Sequence, residues 1–240
     1  MEKAGKNYKR ILILFFIFTI LMGAVVVLAF FLPLHNDYQS LIAIALLLAL
    51  LVGMGAFRPR LMYYKEELMF ERLKLNSTGK ISVRQSPLSE IFLRKLLAKE
   101  FQINHRDDKL TILTKYIKDR SQYHLKRPML MVFVAIHDPK IDFQSELIIK
   151  YINIIEDGLY KEKKKIFHYT VYVAKEGPTM SKQDREECDN VSFSRIGKRS
   201  IVTINLFYET KNNACYFLHS DKYWPTSYYN YAVNYLKELL

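Results

Sequence analysis

The chain has 240 residues, half of them hydrophobic, and a formal net charge of +12. Its two cysteines, Cys188 and Cys215, stand far apart in sequence, which indicates neither a disulfide framework nor a zinc site and agrees with a reducing compartment. There is no P-loop, G-x-G-x-x-G, G-x-S-x-G or H-E-x-x-H motif, so neither a cofactor nor a metal is expected.

Two apolar runs open the chain. Ile11–Leu32 is 22 residues without a charge, about 33 Å as a helix and enough to cross a hydrocarbon core of about 30 Å. A cleaved signal peptide fits poorly, because the run is too long and no small-residue cleavage site follows. The second run, Leu41–Phe57, has no polar face, which suits lipid better than a soluble core. Lys3, Lys6, Lys9 and Arg10 precede the first run. Arg58, Arg60 and Lys65 follow the second, and Pro33–Ser40 between them holds no Lys or Arg. Positive-inside bias then places both termini in the cytoplasm of a multi-pass protein. The small residues Gly23, Ala24, Gly53, Gly55 and Ala56 offer surfaces for close helix packing. Richness in Lys, Ile, Asn, Tyr and Phe is a pattern of AT-rich genomes, so a bacterial plasma membrane is the expected location.

The expected organisation is a cytosolic N-terminal tail over 1–10, a transmembrane hairpin over 11–57, a juxtamembrane stalk over 58–85 and one cytosolic domain over 86–240. Arg58-Pro59-Arg60 is expected to close the second helix, with an amphipathic helix following from Leu61 to Leu75. Ser86-Pro87 reads as an N-cap with Pro at the first helical position. Phe101–His105 and Leu110–Ile117 flank Arg106–Lys109 as a β-hairpin. Met129–Ile136 is apolar on both faces and bounded by Pro128 and Asp138-Pro139, the pattern of a central strand covered on both sides.

Asp142 is expected to cap a helix through Tyr160, ending in Lys161, Lys163, Lys164 and Lys165, where cations complement the macrodipole. Phe167–Lys175 reads as a strand and Ser181–Cys188 as a short polar helix. Val191–Ile196, Ser200–Tyr208 and Ala214–His219 read as an antiparallel meander, and Ser227–Leu239 as the last helix. No repeat or linker divides this region. The fold class is a membrane-anchored α+β protein, with a mixed or antiparallel sheet flanked by helices.

Four groups of residues invite a function. The order helix, three strands, helix, strand from Pro87 to Lys175 matches the core order of the PD-(D/E)xK nucleases. The metal-binding carboxylates of that motif are absent: the second strand carries Thr111, Thr114 and Lys115, and the third carries no charge. His137-Asp138 and His219-Ser220-Asp221 end two strands and would form a metal or general-base site if those strands were parallel neighbours. Ordinary turn chemistry is the stronger reading.

Basic residues cluster at Lys126-Arg127, at Lys163, Lys164 and Lys165, and at Arg195, Lys198 and Arg199. Anionic lipid headgroups are the nearer partner, and nucleic acid the weaker one. Tyr223, Trp224 and Tyr229 suggest a protein-partner surface, since Tyr and Trp dominate interface anchors. The residues identify no family. The expected function is a membrane-tethered binding domain, an accessory, regulatory or immunity-type subunit of a membrane-associated complex, with a protein partner or homo-oligomer. A ligand-gated effector sensing an anionic nucleotide is second, and a membrane-bound hydrolase using the His/Asp strand ends is third.

Overall fold

The computed structural model describes residues 2–29, 31, 36–118, 128–196 and 199–240. Two compact units follow one another, Met1–Arg72 and Leu73–Leu240.

The first unit is a helical hairpin of α1 (Glu2–Ala29) and α2 (Asn36–Leu75, whose last turn enters the second unit). Both helices are long and apolar enough to cross a membrane, and few of the residues in their apolar stretches are fully buried. Helix α2 does not stop at Pro59, as the sequence predicts, but runs through it. Proline removes one N–H and crowds the carbonyl four residues back, which here belongs to Gly55. The strong helix formers that follow, such as Leu61, Met62 and Glu66, carry the helix on. Packing is antiparallel. Phe15 and Phe18 meet Phe57 at 6.0 and 5.5 Å between ring centres, and Gly5 faces Leu68. A Cβ on Gly53 would overlap the Phe18 ring, whereas Gly23 and Gly55 face open space. One glycine of the predicted small surfaces is thus used within the hairpin.

The second unit is built on a mixed sheet. Its strands are β1 (Ile81–Ser82), β2 (Gln102–Arg106), β3 (Leu110–Ile117), β4 (Met129–Ile136), β5 (His168–Gly177), β6 (Arg195–Ile196), β7 (Arg199–Glu209) and β8 (Ala214–Tyr216). They lie in the order β1-β8-β7-β5-β4-β3-β2, with β6 paired to β7. Strands β4, β5 and β7 are parallel, and every other pairing is antiparallel. The three-stranded meander β2–β4 and the parallel strand β5 reproduce the predicted element order.

Four helices cover the sheet: α3 (Glu90–Ala98), α4 (Glu146–Lys161), α5 (Lys182–Asp189) and α6 (Ser227–Leu239). Alternation along the strands sorts the faces. Leu130, Val132, Val134 and Ile136 of β4 join Ile148 of α4 and Cys188 of α5 in one core. Phe133 points the other way, to Phe92 of α3 and Tyr172 of β5, and the Tyr172 hydroxyl donates to the Ala232 carbonyl of α6. All eight residues of β4 are buried, as a strand covered on both sides must be.

Two helix starts differ from the sequence reading. Ser89, not Ser86, caps α3 by accepting from Phe92 N, while the Ser86 hydroxyl accepts from Leu88 N in the turn before it. Ser145, not Asp142, caps α4. In both cases two serine or aspartate positions satisfy the capping rule, and the first is used for a turn.

Candidate functional site

The sheet register lines up one end of the second unit. Ile117 of β3 pairs with Met129 of β4, Met129 with His168 of β5, and His168 with Ser200 of β7. Because α4 returns from the far end of β4 to the start of β5, its C-terminus arrives at the same place. The topology therefore gathers Lys118, Lys161, Lys163, Lys164, Lys165 and Arg199, six basic side chains that are scattered over 82 residues of sequence.

The turn out of α4 is held by backbone hydrogen bonds. Lys163 takes a left-handed backbone (φ 58°), its N–H donates to the Tyr160 carbonyl and that of Lys164 to the Leu159 carbonyl. This closes the free carbonyls of the helix end. Lys164 pairs with Glu162 at 2.6 Å and stands 5.4 Å over the Tyr116 ring. Arg199 Nη1 donates to Glu156 Oε1 at 2.8 Å, with the guanidinium 5.3 Å over the Tyr160 ring. Lys161, Lys163 and Lys165 are exposed and form no ion pair with a described residue. The result is an exposed cationic rim whose inner members are held and whose outer members are available. The Arg195 side chain, Lys198, Lys126 and Arg127 lie outside the described residues. Beside this end, a groove of about 540 Å³ runs between the β2–β3 hairpin and the last turns of α4, with Gln102, Asn104 and Thr114 among its polar lining.

The His/Asp strand ends do not converge. Strands β5 and β7 separate β4 from β8, roughly 14 Å by strand spacing. Because β8 runs opposite to β4, the chain beyond Tyr216 heads away from the His137 end. His137 is exposed and its Nε2 lies 2.9 Å from Thr111 Oγ1, while Asp138 accepts from Lys140 N in a turn. His219 is fully buried and stacked on Phe217, and its Nδ1 lies 3.0 Å from the Phe217 carbonyl, which fixes the proton on that nitrogen. Burial pushes the His219 pKa down, favouring the neutral ring. Asp221 pairs with Lys237 at 2.7 Å, which lowers its pKa. The four groups keep to separate surroundings, and His219 Nε2 is buried without a hydrogen bond to a described residue.

Tyr229 is also corrected. It is 1% exposed, donates to the Leu218 carbonyl and meets Phe193 edge-on at 5.7 Å. Segments around Phe193 and Leu218 cover the flank of α6 that the helical pattern leaves open. Tyr223 is half-buried, and Trp224, 54% exposed, is the member of the trio that faces solvent. On the nuclease-like strands, Lys115 donates to the Lys99 carbonyl and Thr111 lies at His137. No group of three or more His, Cys, Asp or Glu able to hold a metal occurs among the described residues.

Sequence reasoning passed over His105, stacked on Tyr151 at 4.0 Å with Nε2 2.9 Å from Asp107. Asp107 also accepts from Leu110 N and Lys109 N, and these bonds, the one from Leu110 foremost, lower its pKa to about 2. The arrangement closes the β2–β3 turn. A smaller pocket at Tyr169 likewise has no signal in the sequence. Compared with protein-family models, curated proteins and solved structures, the chain matches none.

Proposed function

We propose that this chain is a membrane-tethered binding protein, an accessory, regulatory or immunity-type subunit whose cationic sheet end meets an anionic surface of a membrane-associated complex. The observation that carries the reading is the convergence of Lys161, Lys163 and Lys165, exposed and without an ion pair to a described residue, on a rim ordered by Lys164 and Arg199. Tethering concentrates such a rim near headgroups and near other membrane proteins, where each exposed cation adds about 1 kcal/mol of attraction to an anionic surface. On this reading both termini lie on the cytoplasmic side of a bacterial plasma membrane, an orientation supported by the positive-inside bias of the flanking Lys and Arg.

Acidic protein faces and anionic lipids share the chemistry this rim recognises. A photo-crosslinking residue at Lys163, with Asp108 on the far hairpin turn as control, separates them in native membranes. A discrete protein adduct at Lys163 alone supports the subunit reading, and equal adducts at both positions contradict it.

The second reading, a ligand-gated effector sensing an anionic nucleotide, draws on the same rim together with the tight Phe18–Gly53 packing of the hairpin. It requires saturable nucleotide binding by the full chain that weakens when Arg199 is neutralised, and membrane leakage only with the nucleotide present.

A further inference from the structure

A cavity of about 240 Å³ lies between α4 and the first halves of β5 and β7. It opens to solvent on one side, and Ile152, Ile166, Phe167, Val171 and Ile201 supply half of its lining, with Ile166 and Val171 buried. Asn153, Glu156, Tyr169, Arg199 and Thr203 supply the other half, and two of these point to a ligand. The Tyr169 hydroxyl is buried and makes no hydrogen bond to a described residue. Arg199 is there too, with Nη1 committed to Glu156 and its other donors unbonded to any described residue.

An unmade hydrogen bond at a buried hydroxyl costs about 1–3 kcal/mol, and buried tyrosine hydroxyls ordinarily find a partner. Burial, reinforced by the nearby Glu156 carboxylate, raises the Tyr169 pKa, so the phenol stays a donor across the physiological range. A donor hydroxyl and a guanidinium beside a group of aliphatic side chains ask for an acceptor that carries negative charge and an apolar body. Glu156 already balances part of the arginine charge, which favours a monoanion over a phosphate dianion. At the packing density of protein interiors the chamber holds roughly ten non-hydrogen atoms, too few for a nucleotide.

We propose that this cavity binds a small monocarboxylate with a compact apolar body. One carboxylate oxygen accepts from the Tyr169 hydroxyl and the other from Arg199, while the body fills the space among Ile152, Ile166 and Ile201. The site shares Arg199 with the rim but uses none of its exposed lysines.

The test uses the full chain in phosphatidylcholine nanodiscs and 4-fluorophenylacetate as probe, followed by fluorine NMR line broadening, with 4-fluorophenethyl alcohol as the neutral analogue. The expected result is saturable broadening of the acid and not of the alcohol. Affinity should fall roughly tenfold or more in Arg199→Gln and several-fold in Tyr169→Phe. Tyr169→Phe removes only an unbonded hydroxyl, so its thermal midpoint should match or exceed the parent and loss of binding there is not loss of fold. No saturable broadening in the parent, equal broadening by the alcohol, or unchanged affinity in both variants would overturn the proposal.

Discussion

Lys164 holds its ammonium group 5.4 Å above the ring of Tyr116, bridging the end of α4 and the end of β3. The Tyr116 hydroxyl completes the link by donating to the Lys165 carbonyl at 3.2 Å. Together these contacts pin the turn that carries the outer lysines, so the cationic rim is shaped by the fold rather than being a loose run of charge.

Replacing Tyr116 with Leu removes both contacts while keeping an apolar side chain on the strand. A cation–π contact and one hydrogen bond at a half-exposed site contribute about 1–2 kcal/mol together. Amide hydrogen exchange over residues 162–167 should accelerate by about tenfold, with the β4 and β5 amides unaffected.

Glu209 ties three segments together: it accepts from Lys80 at 2.7 Å, from Met180 N at 2.9 Å and from Asn212 at 3.0 Å. The Lys80 bond foremost, then Met180 N, holds its pKa at about 2 against an ordinary 4.5. A carboxyl that ionises more readily folded than unfolded stabilises fully above the unfolded value and loses that contribution as pH falls toward the folded one. Glu209→Gln should therefore lower unfolding stability at neutral pH by on the order of 2 kcal/mol. In denaturant titrations the gap from the parent should narrow below pH 4.5.

In the hairpin, Gly53 leaves the space that the Phe18 ring occupies. Gly53→Leu overpacks that contact and should destabilise the hairpin by about 1–3 kcal/mol. Phe18→Ala in the same chain should recover part of the loss, a coupling that thermal melts of the four chains in detergent would read directly.

Tyr229 and Trp224 should separate structure from surface. Tyr229→Ala empties a fully buried aromatic site and should cost about 3–5 kcal/mol. Trp224→Ala should leave the thermal midpoint within a degree or two of the parent.

Much of this architecture is legible from local pattern. Met129–Ile136 reads as a central strand because an eight-residue apolar run between two prolines has few other solutions, and Ser227–Leu239 reads as a helix by its apolar spacing. What local pattern misses is tertiary. Tyr229 faces outward on a helical wheel and is buried because Phe193 and Leu218 come from elsewhere in the chain. Pro59 reads as a stop, yet good helix formers on its far side outweigh one missing bond. At the site, Lys163, Lys164, Lys165 and Arg199 are visible in sequence as charges. Their meeting with Tyr116, Tyr160 and Glu156 depends on strand order, and so does the separation of His137 from His219. The unbonded hydroxyl of Tyr169 leaves no trace in a strand that otherwise reads as ordinary β-structure.

The most direct test is affinity capture of the full chain from its native membrane in mild detergent, beside a variant carrying Lys161→Glu, Lys163→Glu and Lys165→Glu. Bound proteins are quantified by mass spectrometry. We expect a partner in near-stoichiometric amount with the parent, reduced at least tenfold with the variant while the variant itself stays folded in the membrane. A parent recovered only with copies of itself, or a partner retained equally by the charge-reversed chain, would contradict it.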